Sequence, residues 1–174
     1  PKKGIFELKK ICDEEISNIK LGFIDNSAAI VKGNTTVVMR LVDGEFPDYK
    51  RVVPVGNNKE ITIKKELFLH SLKRMAILSS EKFKGIKFEI SDNSMEISSS
   101  NPELGDARED MEVVYSGDKI ITRFNARYLI DVLNVATSEY IKLLLKDEMS
   151  PAILKQADSD NFLSVIMPMR LWTC

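Results

Sequence analysis

Three times along this chain a helix-like run is followed by three short strand-like runs, and such repeats fold stably only where the units cover one another. In the first unit, Ile5, Leu8, Ile11 and Cys12 recur at helical spacing across residues 3–14, with Lys9, Lys10, Asp13 and Glu14 opposite them. Alternating runs over 18–24, 28–32 and 35–41 follow, divided by the hairpin-turn residues Asp25-Asn26-Ser27 and Gly33-Asn34. The second unit adds a leading strand: strand 60–64, then a helix over 65–79 carrying Leu67, Leu69, Leu72, Met75, Ala76 and Leu78, then strands over 84–91, 95–99 and 107–115. Its turns fall at Asp92-Asn93-Ser94 and Asn101-Pro102. After Gly117-Asp118 the third unit repeats the order, with strand 119–124, helix 126–136 and strands 139–146, 152–156 and 162–167.

Each helix has one apolar stripe that needs a sheet, and each antiparallel sheet needs helices on one face. Two units side by side meet both needs, so the expected class is α+β: repeated strand-helix-three-strand units, pseudo-symmetric, with antiparallel sheets and helices on one face. Residues 59–171 read as a complete two-unit domain and residues 1–42 as half of another, which divides the chain at 1–56 and 57–174. The first helix then exposes its stripe unless a preceding segment or another chain covers it.

A hydrophobic share of 44% supports a packed core and excludes a disordered chain. No apolar run approaches the ~20 residues that span a bilayer, and Pro1-Lys2-Lys3-Gly4 lacks the apolar core of a secretory signal. Starting at Pro1 rather than Met, the chain reads as a processed or partial product. Cys12 and Cys174 have no metal-ligand spacing and read as free thiols in a reducing, cytoplasmic setting. With 25 Lys and Arg against 26 Asp and Glu, net charge gives no nucleic-acid signal, although opposed basic and acidic faces cancel in such a sum. His70, the one histidine, has no Cys, Asp or Glu pattern around it, and neither a phosphate loop nor a paired-acid site is present, so neither an enzyme nor a cofactor is expected.

Between the first and second units, residues 41–54 break the strand pattern with Asp43-Gly44, Pro47-Asp48 and Pro54. Phe46, Tyr49, Val52 and Val53 are too apolar for a solvated linker, so a packed connector is expected, with apolar groups beside Arg51.

Five stretches carry a resemblance: the run from Leu41 to Tyr49, the run from Ala76 to Gly85, Asn101-Pro102, Phe124-Asn125 with Tyr128 to Leu133, and the tail Met167-Pro168-Met169-Arg170-Leu171. Together, in order and over nearly the whole chain, they resemble the bacterial sliding clamp family, the beta subunit of DNA polymerase III. The resemblance covers the last part of that family's three-domain chain, from the second half of the middle domain onward. It implies the DNA clamp fold and a non-catalytic ring: two subunits enclose duplex DNA without reading sequence and tether the replicative polymerase. It also implies that the polymerase, the clamp loader and other partners dock short apolar-anchored peptides in a groove between the middle and last domains. No membrane partner is implied.

Carried over by resemblance, the groove takes Pro47, Arg51 and Val52 from the connector and Val165, Ile166, Met167, Pro168, Met169, Arg170 and Leu171 from the tail, with Asn125, Tyr128, Met149 and Pro151 as a nearby rim. Polarizable Met side chains adapt to varied apolar anchors, and prolines hold the backbone still. From periodicity alone, residues 165–169 read as a closing strand with Met in the core; the tail and connector motifs together turn the reading to the groove. DNA-facing positions would be Lys2, Lys3, Lys9, Lys10, Lys73, Arg74, Lys82 and Arg127, long cations suited to phosphates, each also an ordinary helix-surface charge. Ile77 and Leu78 are either core residues or, by resemblance, part of the joint with the second subunit. Asp106, Glu109, Asp110 and Glu112 face that neighbour or discourage edge aggregation. The chain runs past the family's usual end with Trp172-Thr173-Cys174, which fold back over the groove or stand free. The alternative to a ring subunit is a stand-alone peptide-binding module that kept the groove.

Overall fold

The computed structural model describes residues 1–13, 18–46, 48–78 and 85–169, which divide into two compact units, Pro1–Pro47 and Asp48–Cys174; connector residues 48–56 thus group with the second. The first unit holds helix α1 (Lys2–Asp13) and strands β1 (Lys20–Ile24), β2 (Ser27–Lys32) and β3 (Thr35–Arg40), paired antiparallel in the order β1-β2-β3. Asp25 and Gly33 take left-handed backbone angles in the two hairpin turns. Buried Gly4 brings α1 close to β3, where any Cβ would strike the Met39 sulfur. Lys32 Nζ donates to the Ile11 carbonyl at 2.6 Å and so caps the last turn of α1.

This unit has a small core, in which Ala28 and Ile30 are buried, and much apolar surface. Ile5, on the apolar stripe of α1, is exposed together with Phe6, as expected of a half without its partner, and every residue of β1 is exposed, Phe23 at 66%. Three strands and one helix cover one face only.

The second unit contains β4 (Lys59–Lys64), α2 (Lys65–Leu78), β5 (Gly85–Ser91), β6 (Ser94–Asn101), β7 (Gly105–Glu112), β8 (Ile120–Asn125), α3 (Ala126–Val135), β9 (Tyr140–Leu145), β10 (Ala152–Gln156) and β11 (Leu163–Ile166). Its sheets have the orders β11-β10-β9-β4 and β7-β6-β5-β8, with every pair antiparallel. The leading strand of each half therefore sits in the sheet of the other half: β4 pairs with β9, and β8 with β5. The strand pattern expected from the sequence is present, and this exchange interlocks the two halves.

Alternating residues of both sheets meet α2 and α3 in one continuous core. Phe88 lies at its centre, fully buried and edge-to-face with Phe68 (centroids 6.1 Å apart) and Phe124 (5.7 Å). The strand expected over 107–115 ends at Glu112, and Val114 instead crosses to the other sheet, exchanging backbone hydrogen bonds with Thr62 of β4 at 2.9 and 3.0 Å. At the opposite joint the Met169 N–H donates to the Arg123 carbonyl of β8 at 2.7 Å. Thr62 and Arg123 are equivalent positions, each three residues before the helix that follows. Both sheet-to-sheet joints are thus closed by chain running on from the last strand of a half. Among the described residues no helix is long and apolar enough to cross a membrane.

Candidate functional site

Strand β8 organises the site. Its residues alternate inward and outward, with Ile120, Thr122 and Phe124 buried and Ile121, Arg123 and Asn125 half-buried. Asn125 ends the strand and caps α3, its Oδ1 accepting from the Arg127 N–H at 3.0 Å. One turn into α3, Tyr128 stands exposed. The tail leaves β11 after buried Ile166, presents exposed Met167, passes half-buried Pro168, and returns to β8 through the Met169 bond to Arg123. Within 165–169, Ile166 enters the core, while Met167 faces solvent.

The β9–β10 loop reaches the same strand. Buried Thr122 donates its hydroxyl to the Glu148 carbonyl at 3.3 Å. Asp147 closes the loop on itself, accepting from the Met149 and Ser150 N–H groups at 2.9 and 2.7 Å and from the Ser150 hydroxyl at 2.7 Å. The Ser150 hydroxyl first, then these two N–H groups, hold the Asp147 carboxyl below the usual range. Asn57 Nδ2 donates to the carbonyls of Leu144 and Pro151 at 3.0 and 2.9 Å, fixing the far end of the loop. Met149 is left exposed on a rigid frame.

Asn125, Met149, Pro151 and Met169 are thus tied by named bonds to β8 or to the loop fastened on it. Arg51 and Val52 are held otherwise. Arg51 ends a single 3-10 turn, Tyr49–Arg51, and Val52 caps it, its N–H donating to the Tyr49 carbonyl at 3.0 Å. Asp48 caps it through the Lys50 N–H at 3.2 Å and pairs with Arg51 Nε at 3.2 Å. Among the described residues no hydrogen bond joins this turn to the tail or the loop. Pro47, Arg170, Leu171 and Trp172 to Cys174 lie outside the described residues.

Residues 50–170 match the family described as DNA polymerase III beta subunit, C-terminal domain. The chain belongs to the DNA polymerase III beta subunit family. It is 37% identical over 171 residues to the beta sliding clamp of Pseudomonas aeruginosa and 36% identical to that of Escherichia coli strain K12. Each match takes in 98% of this chain and 47% of the relative, so the chain spans about half the length of the curated relatives it matches. Among solved structures, the DNA polymerase III subunit beta of P. aeruginosa superposes with a TM-score of 0.86 at 37% identity, over 98% of this chain and 47% of that one. A Bartonella birtlesii sliding clamp bound to griselimycin gives a TM-score of 0.86 at 28% identity, over 98% of this chain and 46% of that one.

The surface cations read from the sequence differ in what already holds them. Arg74 on α2 forks onto Glu109 of β7: Nε reaches Oε2 at 3.1 Å, Nη2 meets Oε1, and buried Ser71 donates to the same oxygen at 2.7 Å. Arg74 first, and Ser71 with it, hold the Glu109 carboxyl below the usual range, so the charge of Arg74 is balanced in place. Lys10 pairs with Glu7 at 3.0 Å and Lys2 lies over the Phe6 ring at 5.7 Å. Lys3, Lys9, Lys73 and Arg127 are exposed, and Lys82 lies outside the described residues.

Ile77 is exposed by 76% in the last turn of α2, so the core half of its two readings is excluded, while Leu78 is half-buried. Asn101 Nδ2 donates to the Leu78 carbonyl at 2.8 Å while its Oδ1 accepts from the Glu103 and Leu104 N–H groups, joining the helix end to the β6–β7 turn. Exposed Leu104 and the free edge of β7 therefore lie at the same end of the unit as Ile77.

Sequence reasoning missed Thr122, Asp147, Asn57 and Arg123. Asp147 and Ser150 carry a turn signal, an Asx residue with Ser three places on. Asn57 in Gly56-Asn57-Asn58 reads only as loop, because both carbonyls it grips are distant in sequence.

Proposed function

We propose that this chain acts as part of a DNA sliding clamp, a non-catalytic cytoplasmic subunit that helps to encircle duplex DNA and tethers the replicative polymerase. Partners would dock a short apolar-anchored peptide at the β8 site. The observation that carries this reading is the convergence of tail, β9–β10 loop and α3 start on one strand, in a chain whose relatives are beta sliding clamps. Exposed Met149, Met167 and Tyr128 offer adaptable apolar contact on a fixed frame, which suits many partners with similar anchors. The ring would join its second subunit through Ile77, Leu78 and the open edge of β7, next to Leu104. DNA contact would fall to cations without a carboxylate partner among the described residues, Lys3, Lys9, Lys73 and Arg127, reaching phosphates without reading bases.

The test is fluorescence anisotropy of a short labelled peptide with adjacent Leu and Phe anchors, titrated with the 174-residue chain. Saturable binding is expected, weakened about tenfold by Met167→Ala and also weakened by truncation after Met169. Met167 is 64% exposed, so its loss should leave folding intact. A folded chain that does not bind, or that binds equally well with Met167→Ala, overturns the proposal.

A further inference from the structure

Resting on the peptide-site reading above, we infer that the β8 site is an oxidation switch: peroxide converts Met167 and Met149 to methionine sulfoxides, and docking stays weakened until the sulfoxides are reduced. The chain has seven methionines, and the fold sorts them by access to solvent. Met75, Met95 and Met111 are buried in the core of the second unit. Met39 and Met169 are half-buried, Met39 beside Gly4 of α1 and Met169 beside Gly85 of β5. Met167 and Met149 alone stand open, 64% and 53% exposed, and both belong to the β8 site.

The backbone at both is fixed. Pro168 and the Met169 bond to the Arg123 carbonyl hold the tail directly after Met167, and Asp147 and Ser150 lock the loop on either side of Met149. The frame that presents adaptable apolar side chains to a partner therefore presents their sulfur atoms to dissolved oxidants as well.

The chemistry needs only hydrogen peroxide. A thioether lone pair attacks one peroxide oxygen, and the O–O bond breaks as the S–O bond forms. The displaced hydroxide takes the proton of the transferred hydroxyl and leaves as water, so that sulfur loses two electrons and peroxide gains them. A flexible apolar side chain has become a polar one. Under an apolar anchor the new oxygen gives up its water and meets no donor, which weakens docking. Methionine sulfoxide reductases, one for each sulfoxide epimer, return the thioether and water while two thiols become a disulfide. Because both side chains lie outside the core, the cycle runs without unfolding the chain.

The experiment treats the folded 174-residue chain with hydrogen peroxide, removes the excess with catalase, maps sulfoxides by mass spectrometry and titrates the product against the labelled Leu-Phe peptide. Met167 and Met149 should oxidise first, with Met75, Met95 and Met111 spared, and affinity should fall about tenfold. Methionine sulfoxide reductases A and B with dithiothreitol should restore it. Dithiothreitol alone, which reverses disulfides formed by exposed Cys12 but not sulfoxides, should restore nothing. The double variant Met149→Leu, Met167→Leu, compared with its own untreated sample, should lose no affinity on treatment. The inference is overturned, and the peptide site left standing, if a chain oxidised at both positions binds as tightly as before. The same follows if the reductases restore nothing, if the double variant loses as much affinity as the unaltered chain, or if all seven methionines oxidise alike. If the untreated folded chain binds no peptide, the peptide-site reading fails and the switch with it.

Discussion

In the first unit the sheet stops at β1, whose edge is open and whose residues are all exposed, while in the second each three-strand set continues into a fourth strand supplied by the other half. The sequence pattern of the two is nearly the same. What differs is the partner: a leading strand on the free edge, a second helix beside the first, and a backbone crossing at each joint. Burial in this fold thus belongs to the pair of halves, and a single half exposes Leu21, Phe23 and Ile5 where the corresponding positions of the second unit are covered.

Removing one large aromatic group from each unit should break the comparison most visibly. Phe88→Ala empties the centre of the second core and should cost about 3–5 kcal/mol. Phe23→Ala removes a side chain already in water and should change stability by less than about 0.5 kcal/mol. Urea unfolding of both variants checks this, and a large loss for Phe23→Ala would mean that the face of β1 is covered in solution.

The two joints of the second unit can be compared with each other. Val114→Pro removes the donor to Thr62 from an exchanged pair of bonds and should cost about 1–3 kcal/mol. Met169→Pro removes the single bond to Arg123 and should cost about 1 kcal/mol or less, the net worth of one backbone bond. The second substitution should nevertheless weaken peptide binding more than the first, since it frees the tail from β8. Equal losses of affinity would argue that the tail needs no fixed backbone.

The repeat was legible because local chemistry declares it: turn residues such as Asp25, Gly33, Asp92 and Asn93 take left-handed angles between alternating strands, and Asn125 stands where a helix cap is expected. The exchange of leading strands was not legible, since Ile61 and Ile63 face inward whether β4 joins its own half or the other. The same limit applies to the site. Of the residues placed by resemblance, Asn125 ends β8 and Met149 and Met169 are fastened to it, but the bonds that fasten them, from Thr122, Asn57 and Met169, join positions far apart in the chain and leave no periodic trace. Ile5 shows what was legible: its spacing marks a stripe, and the missing partner half in the repeat count marks that stripe as exposed.

The smallest effect concerns acid. On the outer face of the second unit Glu89 lies between Lys119 of the loop before β8 and Lys87 on its own strand β5, and these two, Lys119 first, lower its carboxyl to about 2. A carboxyl whose folded value lies below its unfolded one stabilises the fold at pH above the unfolded value, near 4.5, and that contribution fades as pH falls toward 2. Lys119→Gln removes the larger cause. The gap in urea stability between the unaltered chain and Lys119→Gln should therefore be small but measurable at about pH 7 and should shrink by about pH 3. The first unit, which holds no part of this network, should melt with the same pH dependence in both proteins. A gap that stays constant across that range would mean that Lys119 acts through packing of its stem rather than through its charge on Glu89.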